Sequence, residues 1–104
     1  MRQPRGLFGW RIVRVNGGSM SPRLPPDSYA LFRPARRVDA GDIVLADHAR
    51  YGWIIKQVRE LSDDGVTLAG IAPESTASDR LGVVHWNRLL GKLVWHVAPG
   101  RRDQ

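Results

Sequence analysis

Trp53-Ile54-Ile55-Lys56-Gln57-Val58, then Ser62-Asp63-Asp64-Gly65, then Val66-Thr67-Leu68-Ala69: this stretch decides the fold class. Both apolar runs are short and rich in β-branched and aromatic residues, which suit a pleated, half-buried surface. The polar Ser-Asp-Asp-Gly between them is turn chemistry, so the whole reads as a β-hairpin. The same grammar continues outward. Trp10-Arg11-Ile12-Val13-Arg14-Val15 reads as a strand, and Leu24-Pro25-Pro26-Asp27-Ser28 as a turn into a strand from Tyr29 to Arg33. Asp39-Ala40-Gly41-Asp42 turns into Ile43-Val44-Leu45-Ala46, a helical turn is expected near Val84 to Arg88, and Leu89 to Val97 is the final strand. Short strands with a turn signal about every eight to twelve residues imply an all-β sandwich or partly closed barrel.

Composition bounds the chemistry. A chain of 104 residues, 42% hydrophobic and 25% charged, fits one domain over 1–104 with a modest core, its ends at about 1–6 and 100–104 frayed. With no cysteine there are no disulfides, thiolate metal sites or cysteine catalysis. His48, His85 and His96 have no metal-ligand spacing, so no metal and no cofactor is expected. The best candidate for a membrane span, Leu7 to Val15, is broken by Arg11 and Arg14 and falls far short of the roughly 20 apolar residues required. A cytoplasmic protein without an integral membrane segment is the expectation. The net charge of +6 comes from the first third, where eight arginines in 1–37 face the single acid Asp27. Such a surface is chiefly solvated; an acidic precursor or peripheral contact with a membrane are the alternatives. Nucleic acid is not expected as a partner, because the four tryptophans sit in apolar runs rather than interleaved with the arginines.

Two residues carry candidate chemistry. Ser19 lies in Gly17-Gly18-Ser19-Met20-Ser21-Pro22, and Lys56 in the strand already quoted. A serine hydroxyl attacks a carbonyl only when something takes its proton. A lysine can do so only when neutral, with its pKa brought from about 10.4 toward about 7 to 8 by desolvation. Alternate strand residues share a face, so Lys56 points with Ile54 and Val58 rather than with Gln57 and Arg59. Gly17 and Gly18 leave room for close backbone approach, and Met20 suits an irregular apolar wall.

Gly17-x-Ser19-Met20-x-Pro22-x-Leu24 resembles the nucleophile box of the signal peptidase I family. Ala40-Gly41-Asp42-Ile43-Val44, Ile55-Lys56-Gln57-Val58 and Leu90-Gly91-Lys92-Leu93-Val94-Trp95 resemble further boxes of that family in the same order, and Gly70 to Arg80 is similar to a worn form of another. The resemblance implies the coiled, partly closed β-barrel shared by signal peptidases and LexA-type self-cleaving domains. It also implies a Ser19–Lys56 catalytic dyad, with Thr76 (Ser75 as the fallback) orienting the lysine amine. Many larger signal peptidases carry an oxyanion-hole serine where this chain has Gly17, which leaves backbone N–H groups for that task. Ile71-Ala72 and Ser78-Asp79 depart from the family pattern. Small size and the missing anchor look most like the members that mature nickel-type superoxide dismutase, so the implied partner is a precursor with an N-terminal leader. The alternatives are a general leader peptidase at the membrane face, or a decayed β-domain binding peptide or nucleic acid. A LexA-type self-cleaving domain is disfavoured, since 18 residues precede Ser19. Oligomeric state is not legible.

Overall fold

The computed structural model describes residues 9–15, 24–35, 37–70 and 81–98. In chain order the strands are β1 (Arg11–Arg14), β2 (Tyr29–Arg33), β3 (Ile43–His48), β4 (Gly52–Leu61), β5 (Gly65–Ala69), β6 (Val83–His85) and β7 (Leu89–Val97). They form one antiparallel sheet in the order β1-β2-β7-β3-β4-β5-β6. Among the described residues the only helical element is a 3-10 turn, Trp86–Arg88. The protein is all-β. Its sheet is open: among the described residues β1 pairs only with β2 and β6 only with β5.

The hairpin read from sequence is β4–β5, with Leu61 opposite Val66 and Val58 opposite Leu68. The Ser62 N–H donates to the Gly65 carbonyl at 2.8 Å and closes the turn. One sequence expectation changes here. Val84 and His85, expected to open a helical turn, instead join Val83 in extending the sheet as β6, with Val84 opposite Val66, and the helical turn begins only at Trp86. The cause is tertiary. Gly65 has no Cβ, and one placed there would collide with the Val84 carbonyl, so glycine lets β6 lie close against β5. Trp86 Nε1 then donates to the Asp63 carbonyl at 3.0 Å and fastens the short helical turn to the hairpin loop.

Two cores lie on opposite faces of the sheet. All of Ile43-Val44-Leu45-Ala46 is buried, the continuous apolar run of a strand covered on both sides. Ile43 and Leu45 enter a first core with Val15, Leu24, Ala30 and Phe32. Val44 and Ala46 enter a second with Val38, Val58, Val66, Leu68 and Val84. A single sheet can cover two cores only by coiling so that each half wraps a different face. Register shifts at Leu31/Phe32, Leu45/Ala46 and Val58/Glu60 supply the local bending and twist. On the outer face of the first half, Ile12, Leu31 and Trp95 stand in one register row, with Ile12 and Trp95 exposed.

Candidate active site

Lys56 sits in the middle of β4, half-buried, directly opposite Val44 of β3. Val44 is fully buried in the second core, and Ile54 and Val58, two residues either side of Lys56, pack there too. The face inferred from alternation is therefore the observed one. No ion pair or hydrogen bond to Lys56 is present among the described residues. Burial without a counter-charge disfavours the ammonium, and the Lys56 pKa is pushed below that of an ordinary lysine by desolvation. An arginine could not serve here, because its guanidinium does not give up a proton. The sequence holds another signal of this kind that the motif reading left unused: lysine occurs only at 56 and 92, while every other strongly basic residue is arginine.

Ser19, Gly17, Gly18 and Met20, like Thr76, lie outside the described residues. The ends of both segments are described, and both attach near β4. Val15 and Leu24, which bracket 16–23, are buried in the first core, against which Ile55 also packs. Val15 is further held by its N–H donating to the Ser28 carbonyl and its carbonyl accepting from the Asp27 N–H, each at 2.8 Å. The buried Ser28 hydroxyl donates to the Pro25 carbonyl at 2.6 Å, fixing the turn that returns the chain to β2. For the second segment, Ala69 pairs with Gln57, so the chain leaves β5 at Gly70, level with Lys56. It returns at Leu81, whose carbonyl accepts from His48 Nε2 at 2.9 Å. Two backbone N–H groups, of Arg50 and Tyr51, donate to His48 Nδ1 at 3.0 and 3.2 Å. That leaves Nε2 as the protonated nitrogen and fixes the tautomer. Sequence reasoning gave His48 no role; its signal is tertiary, a contact spanning from β3 to Leu81.

Asp42 behaves as a turn residue. Gly41 has φ +98°, a left-handed value that favours glycine, and Asp42 Oδ2 accepts from the Asp39 N–H at 2.7 Å. The Gly41 N–H and the Asp42 carbonyl both bond to Val58, at 2.8 Å each, tying this turn to β4. The same carboxylate lies 3.4 Å from Lys92 Nζ.

The flank of β4 matters for substrate access. β5 pairs with β4 only from Gln57 onward, so Gly52 to Lys56 is paired on its β3 side and by no described strand on the other. An extended peptide placed along that edge would find backbone donors and acceptors beside Lys56.

The Peptidase S24-like family matches residues 8–82, the span from the first strand through both candidate segments. The chain belongs to that family. It is thus a domain of the LexA and signal peptidase-like kind, and its all-β, open, coiled sheet is consistent with that membership. β7, placed between β2 and β3, falls beyond the matched span. Neither a curated protein nor a solved structure matches the chain. No helix among the described residues is long and apolar enough to cross a membrane, and no group of three His, Asp or Glu side chains among them could hold a metal ion.

Proposed function

We propose that this chain is a serine endopeptidase in which Lys56 is the general base for Ser19, and that it removes an N-terminal leader from a precursor protein. The observation that carries the reading is Lys56 itself: a half-buried lysine, its pKa lowered by desolvation, with no counter-charge among the described residues. A surface lysine has no reason to be placed so, whereas a base that must be neutral near physiological pH does.

The precursor segment binds extended against the edge of β4 that no described strand covers and presents its scissile carbonyl to Ser19. Neutral Lys56 accepts the hydroxyl proton as the serine oxygen bonds to the carbonyl carbon. Backbone N–H groups about Gly17 to Ser19 stabilise the oxyanion. The ammonium of Lys56 then protonates the leaving amine, the C–N bond breaks, and an acyl-enzyme remains. Water, giving its proton to the same lysine, releases the leader as a free carboxylate and restores both residues. Thr76 holds the lysine amine in line, and Met20 forms part of the apolar wall. A nickel-type superoxide dismutase precursor is the proposed substrate.

The test is incubation of that precursor with the purified protein, followed by intact mass, beside Ser19→Ala and Lys56→Ala. Leader loss with the wild type alone supports the proposal; leader loss with either variant overturns the dyad. Membership of the Peptidase S24-like family favours one second reading, self-cleavage of the LexA kind. Intact mass of the protein alone during alkaline incubation separates the two. A Ser19-dependent break in the chain supports self-cleavage, and an unchanged mass removes it.

A further inference from the structure

The five strands β1-β2-β7-β3-β4 wrap the first core, and their two ends meet without pairing. Among the described residues β1 bonds only to β2, and β4 only to β3 and β5. A side-chain contact among the described residues bridges them: the Arg11 guanidinium carbon lies 5.0 Å from the centre of the Trp53 ring. Arg11 opens β1 and Trp53 stands near the start of β4, so the contact lies at one end of the open side. Trp53 is 53% exposed, so the contact faces solvent.

The cation is only partly satisfied by this stacking. Arg11 Nε is buried with no hydrogen-bond partner among the described residues, and none of them accepts from the rest of the guanidinium. A buried donor left unpaired costs roughly 1–3 kcal/mol, more when charged. An aromatic face screens a guanidinium and leaves its in-plane N–H fork free, the geometry that suits a carboxylate.

Register then locates this fork relative to the proposed reaction. A peptide running beside the stretch of β4 that no described strand covers, with its scissile residue reaching the level of Lys56 where the chain leaves β5, places another residue beside Trp53, three positions along. Three is odd, so that residue's side chain faces the opposite way from one beside Lys56. The direction is the first-core face, where Arg11 stacks on Trp53.

We propose that Arg11, stacked on Trp53, is a carboxylate-binding subsite that selects substrates with an acidic side chain about three residues from the scissile bond. This rests on the proposed peptidase reading, and it gives the concentrated positive charge of the first third one specific task. The acidic residue shifts recognition without entering the chemistry, so Arg11 sets specificity.

The test uses extended peptides in which one glutamate, or glutamine as its control, is walked through every position. Binding to Ser19→Ala protein is read by calorimetry, and cleavage by the wild type is read by mass. At one position about three residues from the cut, glutamate should bind about tenfold more tightly than glutamine, the size of one charge-assisted hydrogen bond. Arg11→Gln should erase that ratio, and Arg11→Lys should restore part of it. A preference at no position, or one that survives Arg11→Gln, overturns the subsite and leaves the contact as a barrel closure alone. Because binding is read on the Ser19→Ala protein, failure of the wild type to cleave any peptide counts against the peptidase reading and not against Arg11. Thermal unfolding of each variant separates a lost closure, which weakens glutamate and glutamine peptides alike, from a lost subsite, which changes their ratio.

Discussion

The chain has two lysines, and they occupy one register row of the same sheet face: Lys92 on β7, Val44 between them on β3, Lys56 on β4. Two strand spacings separate their backbones by roughly 10 Å. Their surroundings differ in one respect. Lys92 reaches Asp42 at 3.4 Å, while Lys56 meets Val44, Ile54 and Val58, with no carboxylate partner among the described residues. Partial burial among aliphatic groups pushes the Lys56 ammonium toward the free amine. The two neighbourhoods show how one strand row can hold a structural cation and a candidate base.

The largest effect expected from that difference is on turnover. Lys56→Met should lower Ser19-dependent cleavage by about a thousandfold, the scale of a lost general base, while Lys92→Met should change it less than tenfold. Comparable losses in both variants, measured as initial rates on one leader peptide, would dissolve the distinction.

Stability should separate the lysines next, and with opposite signs. The folded pKa of Lys56 lies below its unfolded value, so between the two the unfolded chain binds the extra proton and stability rises with pH. Lys56→Met should therefore stabilise the protein near neutral pH, with the advantage over wild type shrinking as pH rises through the ordinary lysine range. Urea midpoints across that range check it; an advantage that grows with pH would reverse the argument. Lys92→Met removes a partly exposed ion pair and should cost no more than about 1 kcal/mol.

The smallest effect tests whether the two sites communicate. Asp42→Asn leaves Lys92 as an unbalanced cation about 10 Å from Lys56, which further disfavours its ammonium. The rise of cleavage rate with pH should move down by about 0.3 pH units. An upward shift would mean that Asp42 acts on Lys56 through some other contact.

Much of this was readable in the sequence because it is local. The turn chemistry of Ser62–Gly65 and Asp39–Asp42 and the alternation of β4 gave the hairpin, the Asp42 turn and the face of Lys56 from a few neighbouring residues each. Tyr29–Arg33 and Leu89–Val97 emerged with the boundaries the structure shows. What escaped is non-local. Nothing near Val83 announces that the missing Cβ of Gly65, many residues earlier, lets Val83–His85 join the sheet. The insertion of β7 between β2 and β3 sets Lys92 beside Asp42, and coiling brings Arg11 to Trp53; neither contact leaves a local pattern. Ser19 and Thr76 were read as motif positions alone, and both lie outside the described residues.

The most direct test of the central claim is a titration of the two lysine side chains by NMR, with 13Cε labelling and Lys92→Arg to assign the signals. The expected result is a Lys56 curve below that of an ordinary lysine, with the pH dependence of cleavage following it. A Lys56 curve at the ordinary lysine value of about 10.4 would contradict the dyad, because a lysine charged throughout the working range cannot take the proton from Ser19.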